Sequence, residues 1–266
     1  MKSDIMSISR LRMATDGEGV STLVAFFNCP LHCKYCINEY CHKKSMFFEK
    51  ARAIYTPKEL VDILKRDEIY YLMTGGGVVF GGGEPLLQSA FIHEVCQLID
   101  PRWKKRIETS LNVPWELVEP LIGDIDEWII DIKDMDPDIY ELYTEKDNKN
   151  VIDNLLKIRT LVFPEQLRIR IPYIKNYNDE KDVERSIDWV MENLNVIPDV
   201  FRYMFLPHTN EKHWREEESE PREDPKPVYK KEEKDPRLKT KLERRKEKRE
   251  ARREAQAQRN QTKNLF

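Results

Sequence analysis

Short apolar runs alternate with helix-period segments from residue 1 to about 215, and this alternation limits the fold more than any other feature. STLVAFF at 21–27 is rich in β-branched and aromatic residues, so it reads as a buried strand. Further strands are expected at 78–80, 106–110, 127–133, 167–174 and 201–207. Between them, 57–73, 89–100, 114–122, 150–162 and 182–194 carry apolar residues at helical spacing. Thr56, Pro57 and Glu59 supply an N-cap, a first-turn proline and a capping-box acid. About six βα units can be counted, short of the eight of a closed barrel. The expected fold is therefore α/β, a partial (β/α)6 TIM-like barrel. In such folds the chemistry sits at the C-terminal ends of the strands.

The chain has 266 residues and 35% of them are charged, above the roughly 25% of ordinary domains. The excess lies after about Arg215. Residues 216–236 have almost nothing apolar, and from 236 onward there are twelve basic and four acidic residues. Such a segment cannot bury enough apolar surface to offset its ordering entropy. The expected organisation is thus a domain at 1–215 and a charged tail at 216–266, disordered or a solvated helix. The tail lacks interleaved aromatics for base stacking, so nucleic acid is not an expected partner. No apolar run approaches the ~18 residues of a membrane span. The start, MKSDIMSISR, lacks the apolar stretch of a secretory signal. A cytoplasmic protein is expected.

Four of the five cysteines fall within Cys29–Cys41, and only Cys96 lies apart. Clustered thiols in a cytosolic chain point to a metal rather than to disulfides. The segment is C-P-L-H-C-K-Y-C, residues 29–36. Three thiolates on one loop can hold three irons of a cubane cluster and leave the fourth iron open. A structural zinc site using Cys29, Cys33, Cys36 and Cys41 is the competing occupant, and His32 and His42 lie close by in sequence. The cysteines alone leave both open.

Cys-x3-Cys-x-aromatic-Cys after a strand, with Tyr35 as the aromatic, resembles the signature of the radical S-adenosylmethionine superfamily. The resemblance implies a [4Fe–4S] cluster on Cys29, Cys33 and Cys36, with S-adenosylmethionine chelating the open iron. Tyr35, Cys36, Ile37 and Asn38 would then border the cofactor. In that family an electron from the cluster cleaves the cofactor, and the 5′-deoxyadenosyl radical formed abstracts a hydrogen atom. The cofactor carries the hard chemistry and the protein positions it.

V-V-F-G-G-G-E-P at 78–85 is similar to the family's Gly-Gly-Glu turn, which assigns Gly82, Gly83 and Glu84 to the cofactor. Ser110 ends the third expected strand and is expected to contact the cofactor. I-I-D-I-K-D at 129–134 resembles the Asp-x-Lys motif of the glycyl-radical-enzyme activating branch, the branch of the pyruvate formate-lyase activating enzyme. It carries over Asp131, Ile132 and Lys133. R-I-R-I-P at 168–172 offers Arg170 as an expected partner for the methionyl carboxylate, in the bidentate geometry arginine favours. L-P-H-T-N-E-K-H-W at 206–214 resembles the branch's last motif and carries over His208.

The resemblance covers roughly residues 6–214. It implies an oxidoreductase of anaerobic metabolism. Its substrate would be a backbone glycine of a glycyl radical enzyme, and its electron donor a flavodoxin or ferredoxin-type protein. The alternatives are direct modification of a peptide or small molecule, and, from another class, a zinc-binding interaction protein. Some positions depart from the branch. D-G-E-G-V-S at 16–21 has Glu18 where proline is usual. The third strand ends E-T-S-L-N rather than Asp-Thr-Asn-Gly, so no monovalent cation site is expected there. No cysteine-rich insertion follows the cluster loop. Cys41 and Cys96 are expected to be packed thiols.

Overall fold

The structure is a computed structural model that describes residues 1–13, 15–42 and 53–203. Its strands are β1 (Ser3–Met13), β2 (Val20–Phe26), β3 (Ala53–Tyr55), β4 (Gly77–Gly82), β5 (Lys104–Thr109), β6 (Glu127–Asp131), β7 (Leu167–Tyr173) and β8 (Asp199–Arg202). They form one 8-stranded sheet in the order β3-β1-β2-β4-β5-β6-β7-β8. From β2 through β8 every neighbouring pair in that order is parallel. β1 and β3 are antiparallel additions at one edge. The helices are α1 (Pro57–Leu64), α2 (Glu68–Thr74), α3 (Ser89–Leu98), α4 (Pro137–Thr144), α5 (Lys149–Leu161) and α6 (Glu180–Leu194). The parallel strands with crossover helices are those of the partial barrel.

Side chains alternate across each strand, and the two faces of this sheet differ in chemistry. Val24, Phe26, Val78, Phe80, Ile107, Trp128, Ile130, Ile169 and Ile171 are buried in one core with helix residues such as Leu60, Phe91, Leu155 and Val190. The other face carries charge. Arg106 pairs with Glu127 at 2.6 Å, and Arg168 with Asp199 at 2.8 Å. One step further along the strands, Arg170 meets both Glu108 and Asp131. The Asp16–Gly19 turn packs onto the first of these rows. Gly17, at φ +104°, is so close that a Cβ there would lie 2.6 Å from Arg106 Nε. The Glu18 carbonyl accepts from Arg106 Nη2 at 2.9 Å.

Several local expectations are corrected. The helix expected over 57–73 is two helices joined by a 3-10 turn at Lys65–Asp67. Asp67 is buried there and binds Arg10 and Thr22 of β1 and β2, a tertiary demand that helical periodicity does not reveal. The Thr56 capping box forms as expected. The segment 114–122 holds two short 3-10 turns, Trp115–Leu117 and Glu119–Leu121, rather than a helix. Pro120 has no N–H to continue a helical ladder. β1 was not expected as a strand. Its apolar residues do not alternate, and it carries register shifts on either side of Ser7–Ser9. Cys29 therefore follows the second strand, not the first.

Candidate cluster and cofactor site

The cysteine loop leaves β2 through Asn28, which turns the chain at φ +68°. Its base is closed by Asn28 N–H donating to the Cys41 carbonyl at 3.0 Å, and Cys41 N–H donating to Asn38 O at 2.8 Å. The far side rests on the C-terminus of α4. His32 and Lys34 donate their N–H groups to the Thr144 and Tyr143 carbonyls at 2.9 and 3.1 Å. These are among the carbonyls that a helix end leaves without intrahelical partners. Lys34 Nζ also reaches Glu145, the left-handed cap of α4, at 2.5 Å. Tyr35 is buried against Tyr143, Tyr177 and Ile174. The loop is thus fixed by both its neighbours before any ligand is considered.

The glycine turn is stitched to this loop. Gly83 N–H donates to Phe26 O at 3.0 Å, and Glu84 N–H to Asn28 O at 2.8 Å. Asn38 Nδ2 donates to the Gly82 carbonyl at 2.8 Å. Gly82 sits at φ +95°, and a Cβ on Gly83 would lie 2.2 Å from Asn28 O. Glycine is needed at both places, at one for conformation and at the other for close approach.

The remaining residues stand at or just past the ends of β4, β5 and β6, with Arg170 in mid-β7 opposite Asp131. Glu84 is fully buried. Its carboxylate accepts from Thr109 Oγ1 (2.6 Å), Ser110 Oγ (2.7 Å), Ser110 N (3.0 Å) and Leu86 N (3.2 Å). Burial raises its pKa despite these donors. Ser110, expected as a cofactor contact, also holds Glu84 through its N–H and hydroxyl. Asp131 accepts from Lys133 Nζ at 3.0 Å and from Arg170 Nε at 2.5 Å. Burial opposes its ionisation, yet Lys133 and Arg170 together hold it below the usual carboxylate range. Burial likewise opposes the Lys133 charge, and Asp131 more than offsets it. Ile132 buries its side chain in the core and donates its N–H to Arg170 O at 3.0 Å, so only its carbonyl is left to meet a ligand. Ile37 is exposed. His208 lies outside the described residues.

Cys29, Cys33 and Cys36 are free and partly exposed, while Cys41 and Cys96 are buried. Burial raises all five thiols. For Cys33, pushed up to about 11, Lys133 is the main opposing influence, and it also acts on Cys36. A cation beside thiolates, and three accessible thiols on one pinned loop, suit an anionic cluster with three cysteine ligands. Among the described residues no three Cys, His, Asp or Glu side chains converge on a single-ion site. His32 and His42 stack on each other with ring centroids 4.6 Å apart.

Residues 23–190 match the family model of the Radical SAM superfamily. The chain belongs to the radical SAM superfamily. Members of this superfamily use a [4Fe–4S] cluster and S-adenosylmethionine, and Cys29, Cys33 and Cys36 are the residues here that fit the cluster. Among relatives, the chain is 36% identical over 139 residues to a (2S)-3-sulfopropanediol dehydratase activating enzyme of Klebsiella oxytoca, covering 52% of this chain and 43% of the relative. It is 32% identical over 176 residues to a 4-hydroxyphenylacetate decarboxylase activating enzyme of Clostridioides difficile, covering 62% and 55%. A pyruvate formate-lyase-activating enzyme of Clostridium pasteurianum is 27% identical over 185 residues, covering 70% and 75%. The chain spans about half the length of the first two. Among solved structures, SuiB of Streptococcus suis superposes with a TM-score of 0.54 at 15% identity, over 71% of this chain and 40% of that one, a likeness of fold alone. No described helix is long and apolar enough to cross a membrane.

Sequence reasoning found the cluster loop, the glycine turn and the Asp131–Lys133–Arg170 group, and the structure brings these together. It missed Thr109, Glu108 and Tyr203. The alternation of β5 was the available signal, since it places Glu108 on the same face as Ser110.

Proposed function

We propose that this radical SAM protein is an activating enzyme, removing a hydrogen atom from a backbone glycine of a glycyl radical enzyme. The observation that carries the reading is the grouping of Asp131 and Lys133 at the end of β6 with Arg170 of β7, beside the cysteine loop, in a chain similar to three activating enzymes. When bound, the cluster and S-adenosylmethionine supply reductive cleavage of the cofactor and a carbon radical able to abstract hydrogen. The protein's part is orientation. Cys29, Cys33 and Cys36 hold the cluster. The Gly82–Gly83 backbone admits the methionyl end of the cofactor, and Glu84 braces that turn from beneath. Arg170 meets the methionyl carboxylate, and Asp131 keeps Arg170 and Lys133 charged and in place. Tyr35, Asn38 and the backbone of Ile37 and Ile132 border the pocket, and the motif resemblance assigns His208 to the cofactor as well. Residues 1–215 form the catalytic domain and 216–266 the charged tail. The electron donor is a flavodoxin or ferredoxin-type protein, and the setting is an anaerobic cytoplasm.

The test is anaerobic reconstitution with iron and sulfide, reduction with dithionite, and measurement of 5′-deoxyadenosine. A glycyl radical enzyme substrate is then added and its radical followed by electron paramagnetic resonance. Cleavage plus a glycyl radical is the expected result. Cleavage without that radical moves the assignment to a peptide or small-molecule substrate. If no cleavage occurs and Cys33→Ala behaves like wild type, the radical reading fails.

A further inference from the structure

The row of charges on the open face of the sheet is longer than the residues assigned above. Arg170 Nε donates to Asp131 Oδ1 at 2.5 Å, and its Nη1 donates to Glu108 Oε1 at 3.1 Å. One guanidinium therefore spans carboxylates from β6 and β5. At the other end, Lys133 Nζ donates to Asp131 Oδ2 at 3.0 Å and to Tyr203 Oη at 3.2 Å. The order is Glu108, Arg170, Asp131, Lys133, Tyr203, drawn from four adjacent strands and the residues just past their ends.

Two features separate this row from ordinary packing. Glu108, Asp131 and Arg170 keep 21–23% of their side-chain surface exposed, and ion pairs this close to solvent contribute little to stability. The row must therefore be explained by what it holds in place. Space is also reserved for it. A Cβ on Gly81 would lie 3.3 Å from Glu108 Oε2 and 3.1 Å from Leu23 Cδ1, so the first glycine of the turn leaves room for the Glu108 carboxylate.

Arginine is a planar fork, and one hydrogen bond leaves it free to rotate about that bond. Bonds on two different nitrogens fix its plane. With Nε on Asp131 and Nη1 on Glu108, Nη2 makes no hydrogen bond to a described residue, and its direction is set by the other two. Lys133 is a flexible point charge with three donors. Asp131 fixes one of them, and Tyr203 fixes a second.

We propose that Glu108 and Tyr203 are positioning residues for the cofactor pocket, Glu108 orienting Arg170 and Tyr203 orienting Lys133, so that each cation meets S-adenosylmethionine in one direction. This rests on the assignment of Arg170 and Lys133 to the cofactor. Glu108 and Tyr203 act through those two cations and touch the cofactor themselves at no point.

The test uses the full chain, reconstituted with iron and sulfide, as wild type, Glu108→Gln, Glu108→Asp, Tyr203→Phe and Arg170→Ala. Iron content is measured first. The Kd for S-adenosylmethionine is then measured by equilibrium dialysis on unreduced protein, and kcat and KM for 5′-deoxyadenosine formation follow. Glu108→Gln is expected to keep its iron and weaken binding about tenfold, ~1.4 kcal/mol. Glu108→Asp, which keeps the charge, should return to within about threefold of wild type, and Tyr203→Phe should lose about threefold. All three should hold kcat at saturating cofactor. If Glu108→Gln and Tyr203→Phe bind like wild type while Arg170→Ala binds weakly, the proposal is overturned and the activating-enzyme reading stands. If Arg170→Ala also binds like wild type, the Arg170 assignment falls and the proposal with it. Should Glu108→Gln fail to fold, Tyr203→Phe decides, and a wild-type Kd there overturns the proposal.

Discussion

The Glu84 carboxylate, just past the end of β4, is gripped by Ser110, just past the end of β5, through both its backbone N–H at 3.0 Å and its hydroxyl at 2.7 Å. Its second oxygen takes the Thr109 hydroxyl at 2.6 Å and the Leu86 N–H at 3.2 Å. The acid of this glycine-rich turn is thus committed to the protein. It ties two strand ends together beneath the place where the Gly82–Gly83 backbone faces the cysteine loop.

Glu84→Gln tests that role. The two hydroxyls can rotate to accept from an amide, but the Ser110 and Leu86 N–H groups cannot. Whichever way the amide is turned, its NH2 faces a backbone donor. A loss of about 1–3 kcal/mol is expected, read by urea unfolding of the metal-free protein. Stability equal to wild type would mean the brace is not needed for the fold.

Gly83→Ala should fail for a different reason. The added Cβ would fall 2.2 Å from Asn28 O, and backbone cannot swing aside as a flexible side-chain tip can. Displacing Asn28 moves the start of the cysteine loop. The expected outcome is a loss of about 1–3 kcal/mol together with reduced iron uptake on reconstitution. Gly123→Ala is the control. A Cβ there meets nothing within 4 Å, so it should be neutral or stabilising by about 0.4–1 kcal/mol.

Much of this arrangement is legible in the sequence because it is periodic or local. The β-branched runs fix the parallel strands, and Thr56 with Glu59 marks a helix start that forms as written. The three cysteines, the glycine turn and Asp131–Lys133 lie at strand ends, where parallel α/β folds concentrate their chemistry. What escaped depends on residues far apart in the chain. Asp67 breaks a helix because Arg10 and Thr22 need its carboxylate 57 and 45 positions away. Thr109 looks like an ordinary β residue until Glu84 is placed beside it. Glu108 reads as a solvated strand charge until Arg170, 62 positions later, arrives two strands over.

Asp67 also gives a pH dependence with a definite sign. Arg10 donates to both its oxygens, at 2.8 and 2.6 Å, and Thr22 adds a third bond at 3.2 Å. The hydrogen bonds from Arg10 lower its pKa, against the opposing effect of burial. A carboxylate lowered in the folded state stabilises it above the unfolded value, near about 3.9, and that contribution fades as pH falls through the folded value. The unfolding free-energy difference between wild type and Asp67→Asn should therefore be constant from about pH 7 to 5 and shrink below about pH 4. A difference that does not change with pH would show that the charge of Asp67 is not what matters.

Tyr35 separates packing from ligand contact at the cluster loop. Its ring is 2% exposed and packs edge-on to Tyr177, with centroids 5.6 Å apart, and tilted against Tyr143 at 6.1 Å. Its hydroxyl reaches the Lys175 carbonyl only at 3.4 Å. The ring therefore anchors the loop between Cys33 and Cys36. Tyr35→Phe should lie within about 1 kcal/mol of wild type and bind iron and S-adenosylmethionine unchanged. Tyr35→Ala leaves a ring-sized cavity beneath Cys33 and Cys36, the proposed cluster ligands, and should cost about 3–5 kcal/mol, with iron content falling in step. If Tyr35→Phe instead loses cofactor binding while keeping its iron and its stability, the phenol faces the ligand and the packing account of this residue is wrong.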